Sequence, residues 1–340
     1  MDTLQFFPVL VVGFATSIGL TPVSRQIAMR LGVVDKPNHQ RKIHQDHKPL
    51  MGGLAIYFAF TFAILLFSPP PYLSQFGAVL GGSALLAFVG LLDDRYNLGI
   101  RIRLIAMVIA AFGLILSGIT IQLTGIPLFD SALTILWVVA LTNSMNFIDN
   151  MDGLSAGIAA IAAFFFLLIA LSHGLVLVSM LAAAILGSAV GFLIHNFNPA
   201  STFMGDMGAL TLGFVLSVIA IKIDYWTLQT GLTPYLVIPA LVLFVPVFDI
   251  NLIVLTRLSE GRSPAMGGRD HTSHRLLALG LNQRVAAITL YGLSFGCGLI
   301  ALALTATPVI NAWWVLAILT IGTTLLAVGM VYIRQKYQKG

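Results

Sequence analysis

Charge is scarce in this chain: Asp, Glu, Lys and Arg together supply 9% of its 340 residues, against 58% hydrophobic residues. Eighteen basic and thirteen acidic side chains cannot cover the surface of a soluble protein this apolar, which excludes both a soluble two-domain reading and intrinsic disorder. Cysteine is almost missing. The single Cys297 lies in an apolar run, so there is no disulfide framework and no cysteine metal cluster, and packing explains it. No internal repeat and no low-complexity tract is visible, which removes one cue for an inverted-repeat transporter. The formal charge of +5 therefore bears on membrane sidedness before it bears on a nucleic-acid partner.

What the chain does have is long, charge-poor stretches sized to cross a bilayer. Eleven are expected, approximately at 4–24, 51–67, 76–92, 104–122, 131–147, 153–172, 175–195, 207–222, 234–256, 285–306 and 312–333. An odd number puts the termini on opposite faces. One face then collects 17 of the 18 basic residues, from Arg25 through Arg95, Arg101 and Arg103 to Arg257, Arg269, Arg275, Arg334 and Lys339, leaving Lys222 opposite. The excess of positive charge on cytoplasmic loops predicts an outside N-terminus and a cytoplasmic C-terminus. Asp2 precedes the first span and no small-residue cleavage site follows it, so a retained helix is expected rather than a signal peptide. The expected fold is an all-α polytopic bundle forming one domain over 1–340.

Most acidic residues of interest fall at the same face. Asp93-Asp94-Arg95-Tyr96-Asn97, followed by Arg101 and Arg103, sets two adjacent carboxylates at the edge of the hydrocarbon, where a metal, a phosphate or a proton justifies them. An ordinary basic loop with its own counter-ions is the alternative. Asn143, Asn146 and Asp149 recur every third residue, which on a helix stacks polar groups into one stripe. Hard oxygen donors of this kind suit Mg²⁺, although a cap for the next helix explains one aspartate, Asp149 or Asp152. Asp206, in Gly205-Asp206-Met207-Gly208, reads by itself as a helix N-cap. A late segment, Arg269-Asp270-His271-Thr272-Ser273-His274-Arg275, fits an anion or sugar site better than a metal site. His39, His44 and His47 lie in an early polar loop with Lys36, Arg41, Lys42 and Lys48, where lipid-headgroup attraction accounts for the charge.

Taken together these motifs resemble the polyprenyl-phosphate N-acetylhexosamine-1-phosphate transferases, glycosyltransferase family 4. Met51-Gly52-Gly53, Asp93-Asp94, Asn143 to Gly153, Gly205 to Gly208, Pro246-Val247-Phe248-Asp249 and the late histidine segment occur in the family's order. The resemblance implies a bundle of ten or eleven helices with a cytoplasmic cleft, a UDP-sugar donor, a polyprenyl phosphate acceptor, Mg²⁺ or alternatively Mn²⁺, and a homodimer as one assembly. It implies Asp206 and Asn146 as metal ligands. Asp93 and Asp94 fall at the pair assigned to the lipid phosphate, where one of them serves as a general base, with Asn97 and Arg103 nearby. Lys48 and Asn143 match substrate-binding positions, Asp149 and Asp152 the nucleotide site, and Arg269, His271 and His274 the segment on the sugar and diphosphate. Ser273 departs from the His-x-His-His of many relatives.

The implied reaction attacks the β-phosphate of the UDP-sugar with a lipid phosphate oxygen and releases UMP. Lys48-Pro49-Leu50 before the Met-Gly-Gly, and the split histidine pair, favour the GlcNAc-type enzymes that start O-antigen, common-antigen or teichoic-acid linkage units over the phospho-MurNAc-pentapeptide type. A bacterial inner membrane is the expected location. A secondary transporter is the alternative from another class, and the gathering of aspartates at one interface rather than the midplane counts against it.

Overall fold

The computed structural model describes residues 3–35, 48–223, 232–263, 268–306 and 312–337, so His39, His44, His47, Lys36, Arg41 and Lys42 lie outside the described residues. The chain divides into two compact units, residues 1–224 and 225–340, each treated by itself.

In the first unit a short 3₁₀ turn leads into α1 (Phe7–Leu31), then α2 (Gly52–Phe67), α3 (Leu73–Tyr96), α4 (Ile100–Leu116), α5 (Pro127–Ile148), α6 (Leu154–Ser172), α7 (Val176–Asn196) and α8 (Gly205–Lys222). Two short strands, β1 (Val34–Asp35) and β2 (Lys48–Pro49), pair antiparallel, Val34 opposite Pro49. Helix α8 is the axis. It packs against α2, α3, α5, α6 and α7, and 89% of its most apolar stretch is buried. Small residues permit this: Gly53 of α2 lies against the Gly208 backbone, and Gly90 of α3 against Asp206 and Met207.

The second unit holds α9 (Leu232–Val242), α10 (Phe244–Ser259), a short α11 (Thr272–Ala278), α12 (Gln283–Ala306) and α13 (Ala312–Tyr337). Helix α12 packs on α9, α10 and α11, and α13 on α9, α10 and α11.

The helical membrane architecture is as expected, with the β1–β2 pair the one sheet among the described residues. Among the described residues eight helices are long and apolar enough to span a bilayer, fewer than the eleven stretches read from hydropathy. The other three are shorter. Helix α2 has 16 residues, α4 has 17 with Arg101 and Arg103 inside it, and the stretch expected at 234–256 is divided at Leu243 into α9 and α10. Pro239 and Pro246 flank that division, and each lacks the backbone N–H that a continuous helix needs.

Candidate active site

Four helix ends of the first unit converge on Asp206. The C-terminal end of α3 brings Asp93 and Asp94, the first turn of α4 brings Arg103, the last turn of α5 brings Asn146, and α8 begins at Gly205. Arg103 Nη1 bridges two carboxylates, donating to Asp206 Oδ2 at 2.6 Å and meeting Asp93 Oδ2 at 3.1 Å. Asn146 Nδ2 donates to the other Asp206 oxygen at 2.8 Å. The Asp206 side chain keeps 24% exposure, so it is approachable, whereas that of Asp93 keeps 8%. Asp93 Oδ1 and Arg103 Nε are buried without a hydrogen-bond partner. Such atoms are costly unless a ligand completes them.

Asp94 has a different environment. Its Oδ1 accepts the backbone N–H of Asp206 at 2.9 Å, and its Oδ2 lies 3.4 Å from the N–H of Met207. Asp206 was read from sequence as a potential cap of its own helix, but here α8 is capped from a neighbouring helix. Asn97 ends α3 in the left-handed conformation (φ 54°), its N–H reaching Asp93 O at 2.8 Å.

The segment entering α8 is fastened on both sides. Lys48 Nζ donates to Ala200 O at 2.9 Å, while Asp152 Oδ2 accepts Ala200 N–H at 3.0 Å and Asn198 Nδ2 at 2.9 Å. Asn196 accepts Gly153 N–H at 3.1 Å and donates to Thr202 O at 2.9 Å. The backbone of Met51-Gly52-Gly53 continues the grip, Gly52 and Gly53 donating to Phe203 O and Met204 O at 2.9 and 2.8 Å. Lys48 and Asp152 thus hold the two successive peptides on either side of Ala200. Asn196 and Asn198 were missed by the sequence reading, since a lone asparagine after an apolar helix carries no pattern.

Asn143 points along its own helix, donating to Val139 O at 2.8 Å and lying 3.2 Å from Met107 Sδ. Asp149 follows the end of α5, and burial, then the charges of Asp206 and Asp152, push its carboxyl up to about 8. Mutual repulsion among these acids marks a place that favours added positive charge.

The second unit carries its own polar cluster. His271 Nδ1 meets Asp249 Oδ2 at 2.9 Å, and Thr272 N–H donates to Asp249 Oδ1 at 2.6 Å. Asp270 receives a two-pronged contact from Arg257, 2.9 Å from Nε and 2.7 Å from Nη2, and a third bond from Arg262 at 2.9 Å. Burial alone would raise the Asp270 carboxyl, but the hydrogen bonds and charges of Arg257 and Arg262 hold it well below the usual range. Arg334, near the end of α13, reaches Glu260 at 2.7 Å. His274 is pushed down to about 4, first by burial and then by its neighbours His271 and Arg269, so it is neutral near pH 7. Arg269 is exposed. Sequence alone singled out Arg269, His271 and His274 but not Arg257 or Arg334, which lie 13 and 64 residues from Asp270 and carry no local motif.

In this multi-helix protein, half-buried carboxylates, an arginine bridge and an amide gather at one cluster, an arrangement able to hold a cation or a phosphate. The sequence relationships agree. Residues 76–224 match the family model described as glycosyl transferase family 4. Over 338 residues, covering 96% of this chain and 93% of the relative, the chain is 30% identical to the probable undecaprenyl-phosphate N-acetylglucosaminyl 1-phosphate transferase of Bacillus subtilis (strain 168). It is 31% identical over 317 residues, 83% of this chain and 78% of the relative, to the decaprenyl-phosphate N-acetylglucosaminephosphotransferase of Mycobacterium tuberculosis. With the undecaprenyl-phosphate alpha-N-acetylglucosaminyl 1-phosphate transferase of Yersinia pestis identity is 28% over 303 residues, 85% of this chain and 81% of the relative. The chain belongs to glycosyl transferase family 4.

Proposed function

We propose that the protein transfers GlcNAc-1-phosphate from UDP-GlcNAc to a polyprenyl phosphate, undecaprenyl phosphate being the first choice, and releases UMP. The names of the relatives supply the reaction and the acceptor. The observation that carries the assignment to this site is the junction at Asp206, with Arg103 and Asp93 on one side and Asn146 on the other. A lipid phosphate oxygen attacks the β-phosphorus, the bond from that phosphorus to the bridging oxygen breaks, and the bridging oxygen leaves with UMP.

Asp206 and Asn146 are the proposed Mg²⁺ ligands. Mg²⁺ is held by one or two protein oxygens and completes its shell with water and substrate phosphates, a donor set that the Asp206 carboxylate and the Asn146 amide beside it fit. Such an ion supplies positive charge to the diphosphate oxygens. Arg103 adds charge from the protein and holds two carboxylates apart from incoming phosphates. Asp93, with one oxygen unpartnered, receives the proton of a monoprotonated lipid phosphate, whose second pKa near ~6 makes this a modest demand. Asn97 and Arg103 are assigned to the lipid phosphate, and Asn143, Asp149 and Asp152 to the nucleotide, with Lys48 and Asp152 acting in part through the segment before α8. Arg269, His271 and His274 contribute to binding the sugar and diphosphate.

In this reading the chain is one transferase domain with eleven spans in a bacterial inner membrane, N-terminus outside and C-terminus cytoplasmic, the three shorter apolar segments completing the count. A homodimer is the proposed assembly. UMP release by detergent-purified protein tests the reaction, with polyprenyl phosphate, Mg²⁺ and, in parallel, UDP-GlcNAc, UDP-GalNAc or UDP-MurNAc-pentapeptide. Lipid-dependent UMP from UDP-GlcNAc is expected; UMP from none of the three would overturn the proposal and make proteoliposome transport the next assay.

A further inference from the structure

We infer that Asp94 is a positioning residue that acts through Asp206, whereas the adjacent Asp93 faces the reacting groups. The inference rests on the proposed metal role of Asp206. Both Asp94 oxygens are directed at the first amides of α8, Oδ1 at 2.9 Å from Asp206 N and Oδ2 at 3.4 Å from Met207 N. Helix α8 needs this from outside, because its N-cap residue Met204 provides no side-chain acceptor for those amides.

The arrangement is fixed by close approach. Gly205 sits at φ +67°, a conformation suited to glycine, and a Cβ there would strike Asp94 Oδ2 and Leu50 O. Gly90, one turn before Asp94 on α3, leaves room for the Asp206–Met207 backbone, where a Cβ would come within 2.5 Å of Met207 N. Together they set both the height and the rotation of Asp206 against α3. Asp93 Oδ2 meets Arg103 at 3.1 Å while Oδ1 is buried and unpartnered. Two neighbouring aspartates therefore divide the work: one carboxylate is committed to a helix terminus and the other is left for a ligand.

The test compares Asp94→Asn with Asp94→Ala. Both remove the charge, but Asn keeps an oxygen that accepts the Asp206 N–H, so their difference isolates the hydrogen bond from the electrostatics. Two quantities are read: the Mg²⁺ concentration giving half-maximal UMP release, and Mn²⁺ binding to the purified protein by electron paramagnetic resonance, which needs no turnover. Asp94→Ala should weaken Mn²⁺ binding about tenfold more than Asp94→Asn does, in line with the loss of a helix cap, and raise the Mg²⁺ requirement in parallel. Asp93→Asn should lower turnover at every Mg²⁺ concentration with Mn²⁺ binding little changed. If Asn and Ala at position 94 bind Mn²⁺ alike and lose turnover like Asp93→Asn, the inference is wrong and Asp94 acts on substrate. Should Ala not fold, Asp94→Asn decides by itself, since turnover restored by raised Mg²⁺ supports positioning and turnover that no Mg²⁺ concentration restores opposes it. Failure of the transferase reading would instead appear as absence of UMP release from the unmodified protein.

Discussion

Replacing Asp206 by Asn removes the charge that Arg103 and Asn146 both address, yet leaves the start of α8 capped by Asp94. We expect UMP release to fall roughly 100-fold or more, as for removal of a preorganised electrostatic group, while the thermal midpoint in detergent stays near that of the parent. Undiminished turnover would remove Asp206 from the metal site. At this scale the sequence was informative about which side chains matter and much less about what each touches. The aspartates stood out because a carboxylate at a membrane edge is costly, and Asn146 because helical spacing put it on their stripe. That Lys48 and Asp152 hold the backbone on either side of Ala200 was not legible, because those contacts span 152 and 48 residues. The buried Arg257–Asp270 pair was hidden for the same reason: pairing is a property of the fold, and a basic residue in a basic loop looks like a headgroup contact until its partner is seen.

Among the elements, hydropathy located the spans well but measured hydrocarbon, not helix. Helix α1 runs on to Leu31 past Arg25 and Arg30, and α4 starts at Ile100, so Arg103 sits in a first turn rather than in a loop. That early start aims Arg103 at Asp206. The α3–α8 contact should be sensitive to a single methyl group. Gly90→Val places atoms against the Asp206 and Met207 backbone, which cannot rotate away, and should cost about 1–3 kcal/mol of stability along with most UMP release, measured by thermal unfolding and assay of the same preparation. In the second unit, Asp270 fastens the turn before α11. Because Arg257 and Arg262 hold its folded carboxyl low, its contribution is complete above the unfolded carboxylate value near ~3.9 and fades as pH falls toward the lower folded value. Asp270→Asn should therefore be less stable at pH 7 by roughly 3 kcal/mol, with the gap narrowing below about pH 4. A gap that stays constant down to pH 3 would contradict the linkage.

For the whole molecule, the proposed sidedness rests on the segregation of basic residues along the sequence, which predicts a cytoplasmic positive face, and on the gathering of Asp93, Asp94 and Asp206 where the C-terminal end of α3 meets the start of α8. The only native thiol is buried Cys297, so a Cys297→Ser background gives clean labelling. Cysteine at Ser68 should react with an impermeant maleimide in intact cells, whereas cysteine at exposed Tyr96 should react only after the membrane is opened; the reverse pattern would invert the proposed orientation. Family membership was legible from six motifs in order, because each demands a particular chemistry and chance does not align them. The reaction itself is tested most directly by following phosphorus. With UDP-GlcNAc labelled at the β-phosphate, transfer of GlcNAc-1-phosphate predicts that the label appears in the polyprenyl product while unlabelled UMP is released; label recovered in UDP, with an unlabelled lipid, would mean that only the sugar moves and would contradict phosphoryl transfer at Asp206.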